Sequence, residues 1–239
     1  AFSRNFTEVR KLLVKKRGSQ WYSFYSRIPS GLFSGNVRVR NCIYILSSEG
    51  EKRYTSRLHR WFTVQREILF SSAIQYNSFE YTDVIPMLDS EVVQSIYENK
   101  VGSSISILED RLNGKELYYK KVGYNFLSIS NVKPDAFDLN RNPADQTELG
   151  GLKIKRRYYK YIQLLSCGKF YLTKWLTYGD DFHLTGKDIE SFVFPFDKIS
   201  DEDKLKLDAL YEEFSKKLPS TIQYKLNAGI KVGTFNTSE

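Results

Sequence analysis

Three groups of side chains lie close enough in this 239-residue chain to do chemistry together. Asp180, Asp181 and His183 offer two carboxylates and an imidazole, which can hold a divalent ion or pass a proton. No second His or Cys lies at ligand spacing, so they read first as a loop cap and a hydrogen-bonded histidine. Glu98-Asn-Lys100 has the form of the Glu-x-Lys pair of metal-dependent nucleases, but it falls at the end of a predicted helix, not on a strand. Lys153-Ile-Lys-Arg-Arg157, followed by Lys160 and by Tyr158, Tyr159 and Tyr161, interleaves cations with aromatics. That mixture suits phosphate contact combined with base-edge or stacking contact, and equally an exposed strand edge protected by lysines. No catalytic residue and no metal ligand is expected. The chemistry on offer is contact with a polyanion, through Arg38, Arg40, Arg57 and Arg60 early in the chain and through Lys153, Lys155, Arg156, Arg157 and Lys160 later.

The charge pattern points the same way. Residues 1–66 hold 14 Lys/Arg against 3 Asp/Glu, a local +11. Residues 67–148 sum to −6, residues 149–179 to +7 with no acid, and residues 180–239 to −4, within an overall +8. Solubility alone does not require such segregation, whereas two surfaces facing a polyanion do. Hydrophobic content is 41%, of which aromatics supply much, so the chain is globular and long enough for a sizeable core. No apolar run reaches membrane-spanning length and the start has no signal-peptide core. Cys42 and Cys167, far apart in apolar stretches, read as reduced core thiols of a cytoplasmic protein.

The elements that must position these residues fall into three regions: 1–78, 79–200 and 201–239. In the first, 5–17 has helical spacing through Phe6, Val9, Leu12 and Leu13, with Gly18 as its stop. Strands are expected over 21–28, 37–46 and 53–61, and a helix over 63–75. Val37, Val39 and Asn41 alternate with Arg38, Arg40 and Cys42, so one face of that strand is buried and the other carries cations. The second region starts with a short helix over 89–99. It continues with aromatic β runs over 116–122 and 124–130, a long Pro/Asn/Asp/Gly loop over 131–151, and a strand from 153 leading into an apolar segment that ends near 165. A helix over 170–178 ending at Gly179 and a short strand over 189–196 complete it. In the third, Ser200 is the N-cap of a helix carrying Asp201, Glu202 and Asp203 in its first turn, and a Lys/Gly/Asn tail closes the chain.

Several of these stretches together resemble one family. Pro29-Ser-Gly-Leu-Phe33 followed by a Val-Arg-rich strand is similar to a late catalytic-domain hairpin of amino-methylating DNA methyltransferases from restriction-modification systems. Tyr54-Thr-Ser-Arg-Leu-His-Arg-Trp61 and Glu67-Ile-Leu-Phe70 resemble the segment after that hairpin. Leu164-Leu-Ser166, Phe170-Tyr171, Tyr178-Gly-Asp-Asp-Phe-His-Leu184, Asp188-Ile-Glu190 and Phe194-Pro195 look like the core of the family's target recognition domain. The helix from Asp201 and Gly229-Ile-Lys-Val-Gly-Thr-Phe-Asn236 look like what comes next.

The resemblance implies an α+β (mixed α/β) fold: the C-terminal edge of a Rossmann-like methyltransferase sheet over 1–78, then an α+β target recognition domain over 79–200, then the helix and tail. It implies sequence-specific recognition of double-stranded DNA within an N6-adenine methyltransferase or type II restriction-modification enzyme. The family's Gly-rich S-adenosylmethionine loop and its Asn/Asp-Pro-Pro-Phe/Tyr catalytic loop are both missing. Asn142-Pro-Ala144 is a near miss in the wrong region. The expected object is therefore a C-terminal fragment that binds no cofactor and methylates nothing alone, S-adenosylmethionine belonging to the parent enzyme. Two other classes fit the same residues: a non-catalytic RNA-binding or assembly module, and a nuclease centred on Glu98 and Lys100.

Overall fold

The computed structural model describes residues 6–33, 39–71, 73–98 and 101–236. The fold is mixed α+β, with several small sheets and six α-helices among the described residues. It packs as two compact units: Ala1–Asn99 with Thr173–Asp181, and Lys100–Leu172 with Phe182–Glu239.

The first unit opens with helix α1 (Thr7–Val14) and turns at Gly18, whose φ of +98° puts a would-be Cβ 1.8 Å from the Ser47 carbonyl oxygen. Only glycine fits there. Strand β1 (Gln20–Tyr25) follows and is almost wholly buried, because strands flank it on both sides. Strand β2 (Asn41–Leu46) pairs with it antiparallel, and strand β3 (Arg53–His59) pairs parallel on the other side. Strand β4 (Tyr76–Ser78) adds to β3. Tyr22 and Phe24 of β1 pack with Val14, Phe79, Ile85, Met87 and Leu88 to make the core of this unit. Helix α2 (Glu91–Glu98) and the later part of helix α4 (Lys169–Tyr178) belong here too.

The second unit is built on strand β6 (Lys115–Lys120), which lies between β7 (Ile129–Ser130) and β9 (Leu149–Ile154), antiparallel to both. Leu117, Tyr119, Ile129, Leu152 and Ile154 turn one face of that sheet into core. Helix α3 (Tyr159–Cys167) supplies buried Tyr159 and Ile162, and helix α6 (Asp201–Lys217) reaches it through buried Tyr211, its ring 6.1 Å from Tyr159. Strand β5 (Ser103–Ser104) pairs with β10 (Val193–Phe194). Strand β8 (Ala136–Phe137) extends a hairpin of β11 (Ile222–Asn227) and β12 (Ile230–Phe235). Helix α5 (Gly186–Glu190) is held at its start by a reciprocal pair of bonds between Thr185 and Asp188.

Several expected elements take a different form. The region from 153 to 165 is not a strand running on: β9 stops at Ile154 and α3 begins at Tyr159. Its buried residues Tyr159, Ile162, Gln163 and Ser166 recur at helical spacing. The expected helix over 63–75 shortens to a 3-10 helix, Thr63–Ile68, which buries no residue and so has no packing to extend it. Of the run 124–130, only Ile129–Ser130 pairs as strand. Helix α5 occupies the start of the expected strand over 189–196. The tail is a hairpin, because Ala228 and Gly229 both take positive φ, 48° and 82°, as a two-residue turn between right-twisted strands requires. Helix α1 exposes Phe6, Val9 and Leu12 and buries Arg10 and Val14, the Arg10 Nε donating to the Asp83 carbonyl at 3.1 Å. Helix α6 starts as expected, with the Ser200 Oγ accepting from the Asp203 N–H, and α4 ends at Gly179. Among the described residues, no helix is long and apolar enough to cross a membrane.

Candidate nucleic-acid interface

Strand β3 loses strict alternation at its end, where its register against β1 shifts between Tyr22 and Phe24. Thr55 and Ser56 are buried and bonded inward, the Thr55 hydroxyl donating to the Pro86 carbonyl at 2.6 Å. Arg57, Leu58, His59 and Arg60 then come out into a cleft of about 420 Å³. Met87 and Asp89 form another wall, and Thr173, Leu176 and Thr177 of α4 a third. The Met87 N–H donates to the Thr177 carbonyl at 2.9 Å, which fixes that wall to the helix. The floor is apolar (Leu58, Met87, Leu176), and the rim carries two guanidiniums, an imidazole, two hydroxyls and one carboxylate.

The carboxylate is a weak competitor. Arg57 Nη1 lies 3.7 Å from Asp89 Oδ1, with both side chains about two-thirds exposed. Such a pair is worth well under about 1 kcal/mol and exchanges readily for a phosphate. His59 is packed at 5.5 Å against the Tyr25 ring, and burial, followed by the nearby Arg57 charge, lowers its pKa. Its Nε2 is buried without a hydrogen-bond partner. A neutral imidazole beside two arginines gains a proton most easily when an anion arrives.

The residues singled out by sequence do not converge on one spot. Arg38 lies outside the described residues. Arg40 turns inward: its side chain is 14% exposed, donates to the Gly179 carbonyl at 2.7 Å and stands 4.0 Å from Asp181 Oδ1. Arg57 and Arg60 meet at the cleft. In the second unit, Lys153 is exposed on β9 with no ion-pair partner among the described residues. Lys155 Nζ donates to the Ile107 carbonyl at 2.9 Å, and Arg156 Nε to the Asn113 carbonyl at 3.3 Å. The Arg157 guanidinium sits 4.6 Å over the Tyr158 ring. Lys160 is taken up by Glu212 at 2.9 Å and Asp208 at 3.4 Å on α6. Arg156 and Arg157 remain exposed, whereas Lys160 serves the packing of α3 on α6. Sequence reading missed His59, Thr173 and Thr177. The alternation of Arg57, His59 and Trp61 was a signal for the first, but nothing local links β3 to α4.

The acid–base candidates are already committed to structure. Asp180 accepts from Arg27 at 2.9 Å, and buried Asp181 accepts from the Ser26 hydroxyl at 2.7 Å. Burial raises the Asp181 pKa, partly offset by that bond and by Arg40 and Arg27. His183 belongs to the other unit, in an isolated bridge with Val122. Among the described residues no group of three His, Cys, Asp or Glu could hold a metal. Glu98 accepts from the Gln94 amide at 2.8 Å, and Asn99 and Lys100 lie outside the described residues. The Asn142 amide donates to Asp138 at 3.0 Å inside a tight turn, so it is spent on its own loop.

No family model, no curated protein and no solved structure matches this chain.

Proposed function

We propose that this chain recognises duplex DNA as the reading part of an N6-adenine methyltransferase or restriction-modification enzyme working in the cytoplasm. The observation that carries the reading is the β3–α4 cleft, where Arg57 and Arg60 flank an apolar floor and, among the described residues, share the rim with one exposed carboxylate. These cations would hold phosphates of the backbone, which fixes register without reading sequence. Arg156 and Arg157, exposed in the second unit, are the candidates for base edges, with Lys153 beside them. The β2-β1-β3-β4 sheet would then be the C-terminal edge of a Rossmann-like methyltransferase sheet.

Methyl transfer is assigned to the parent enzyme. The sequence has no Gly-rich donor loop, and the amide of its one Asn-Pro pair is bonded to Asp138, so the proposal gives S-adenosylmethionine and the adenine amino group to the parent enzyme. The test is fluorescence anisotropy of a labelled duplex across a salt series. The logarithm of the affinity should fall linearly with the logarithm of salt, with a slope of about −0.9 per phosphate engaged. Salt-independent binding, or none, overturns the proposal.

A second reading, an assembly module, is favoured by a different surface. Phe33, Phe62, Val64, Ile68 and Phe70 are all more than half exposed. Their segments are tied together by Arg66 donating to the Leu32 carbonyl at 2.9 Å and by the Ser30–Thr63 hydroxyl pair at 2.8 Å. Sedimentation of the isolated chain as a monomer with duplex affinity would decide for DNA.

A further inference from the structure

We infer that the outward face of the β7-β6-β9 sheet is a stacking platform for an unpaired nucleotide. The inference rests on the nucleic-acid reading above and extends it from paired to unstacked bases. In an antiparallel sheet, directly opposed residues project to the same side. Tyr118 is opposed by Ser130 on β7 and by Gly151 on β9. Both neighbours are small, so neither flanking strand sets a bulky side chain beside the half-buried ring, and the space over Gly151 is taken by the Glu116 carboxylate of β6 itself. The Tyr118 hydroxyl donates to Glu116 Oε2 at 3.0 Å, which anchors the ring from its own strand. The opposite face of the same strand, Leu117 and Tyr119, is core, so the platform cannot turn over.

Cations stand on both sides of the ring. Lys120 is two residues along β6 on the same face, opposed by Leu149. Lys153 is two residues along β9 from Gly151, opposed by Glu116. Two residues of strand cover about 6.6 Å, so each ammonium lies within side-chain reach of a phosphate flanking a base on Tyr118. The face opens into a groove of about 550 Å³, closed on one side by Phe126 and on another by hairpin residues Lys225, Asn227 and Phe235. Lys120, Lys153 and Lys225 have no ion-pair partner among the described residues. One acid, Glu148, lines the groove, and a second, Glu116, shares the face of β6 with Tyr118. Glu116 is occupied by the Tyr118 hydroxyl, and Glu148 at the rim is an acceptor for an exocyclic amino group. An aromatic on an open sheet face, flanked by small residues and bracketed by lysines, takes a base by stacking and its phosphates by charge, largely irrespective of base identity.

The experiment uses the full chain and 2-aminopurine, whose fluorescence falls when it stacks on an aromatic ring. Three probes carry it: fully paired in a duplex, in a single-nucleotide bulge of the same duplex, and in a single strand. The bulged and single-stranded probes should bind more tightly than the paired one and lose fluorescence on binding. Tyr118→Leu should weaken those two by roughly tenfold and abolish the quench, Tyr118→Phe should retain both, and neither should alter binding of the paired duplex. Circular dichroism of Tyr118→Leu guards against misfolding. Equal binding of paired and bulged probes, or a quench that survives Tyr118→Leu, overturns the platform and leaves the duplex reading standing. Tyr118-dependent binding of the unpaired probes without any binding of paired duplex overturns the duplex reading and leaves the platform. Binding of no probe overturns both.

Discussion

Individual side chains here are governed by burial more than by their neighbours in sequence. Asp181 is 2% exposed and sits at a positive φ of 65°, a conformation that Asn adopts as readily as Asp. Burial holds its folded pKa above the ordinary 3.8, so the folded state binds the proton more tightly than the unfolded chain does. Its contribution to stability is therefore full below pH 3.8 and is lost as pH rises through the folded value. Asp181→Asn cannot ionise. The stability of the variant minus that of the wild type should climb with pH from 3.8 upward and level off once the native carboxylate is charged. Urea unfolding across that range measures it, and a flat difference would falsify the account. The two thiols follow the same logic. Burial pushes Cys42 up to about 12 and Cys167 up to about 11. At pH 8 only about one Cys167 in a thousand is then thiolate. Native protein should leave an alkylating reagent nearly unreacted, and both cysteines should react once urea unfolds it.

At the scale of elements, sequence was legible wherever a local signal sufficed. Ser200 with its three following acids marked α6, Gly179 closed α4, and the alternation over 53–61 gave β3. It failed where a residue type answers to a partner far along the chain. Gly150 and Gly151 read as loop residues, yet they are paired strand. A Cβ on Gly150 would stand 2.2 Å from the Tyr119 ring, and one on Gly151 would stand 2.8 Å from Glu116 Oε1. The aromatic strand β6 thus dictates glycine in β9, a demand invisible from 131–151 alone. The cleft was half legible for the same reason: Arg57 and Arg60 announce themselves, while Thr173 and Thr177 arrive from more than a hundred residues away. Gly150→Ala is the corresponding prediction. It forces Tyr119, which is 8% exposed, out of its place, at a cost of roughly 1–3 kcal/mol, seen as a drop of several degrees in the melting temperature. Tyr119→Leu removes the obstruction, so the double variant should be more stable than the sum of the two single losses, as a double-mutant cycle would read.

Over the whole molecule, the net charge of +8 divides evenly, with +4 on each compact unit, but the two units dispose of it differently. In the second unit much of the charge is neutralised internally. The α6 lysines pair with α6 acids, as Lys206 with Glu202 at 2.6 Å and Lys217 with Glu213 at 2.6 Å, and Lys160 is drawn into the same helix. Among the cations of 149–160, Lys153, Arg156 and Arg157 stay exposed. In the first unit three arginines are structural: buried Arg10 and half-buried Arg53 donate to backbone carbonyls, and half-buried Arg40 does so at Gly179. Arg57 and Arg60 are the cations that line the cleft. This division sets two distinguishable outcomes. Replacing Arg57 and Arg60 together with Ala should weaken binding to every duplex about equally and make the salt slope shallower by about 0.9 for each phosphate no longer engaged. His59 joins the first unit's response: bound phosphate favours its protonated form. Affinity should therefore rise as pH falls toward the lowered value that His59 has in the free protein, and that rise should vanish in His59→Gln. Replacing Arg156 or Arg157 should cost roughly 1–3 kcal/mol on a preferred sequence and little on others, so that preference itself disappears. Selection of bound sequences from a random duplex pool reads both. If Arg57→Ala with Arg60→Ala changes the selected motif while Arg156→Ala and Arg157→Ala leave it intact, positioning and reading belong to the opposite units.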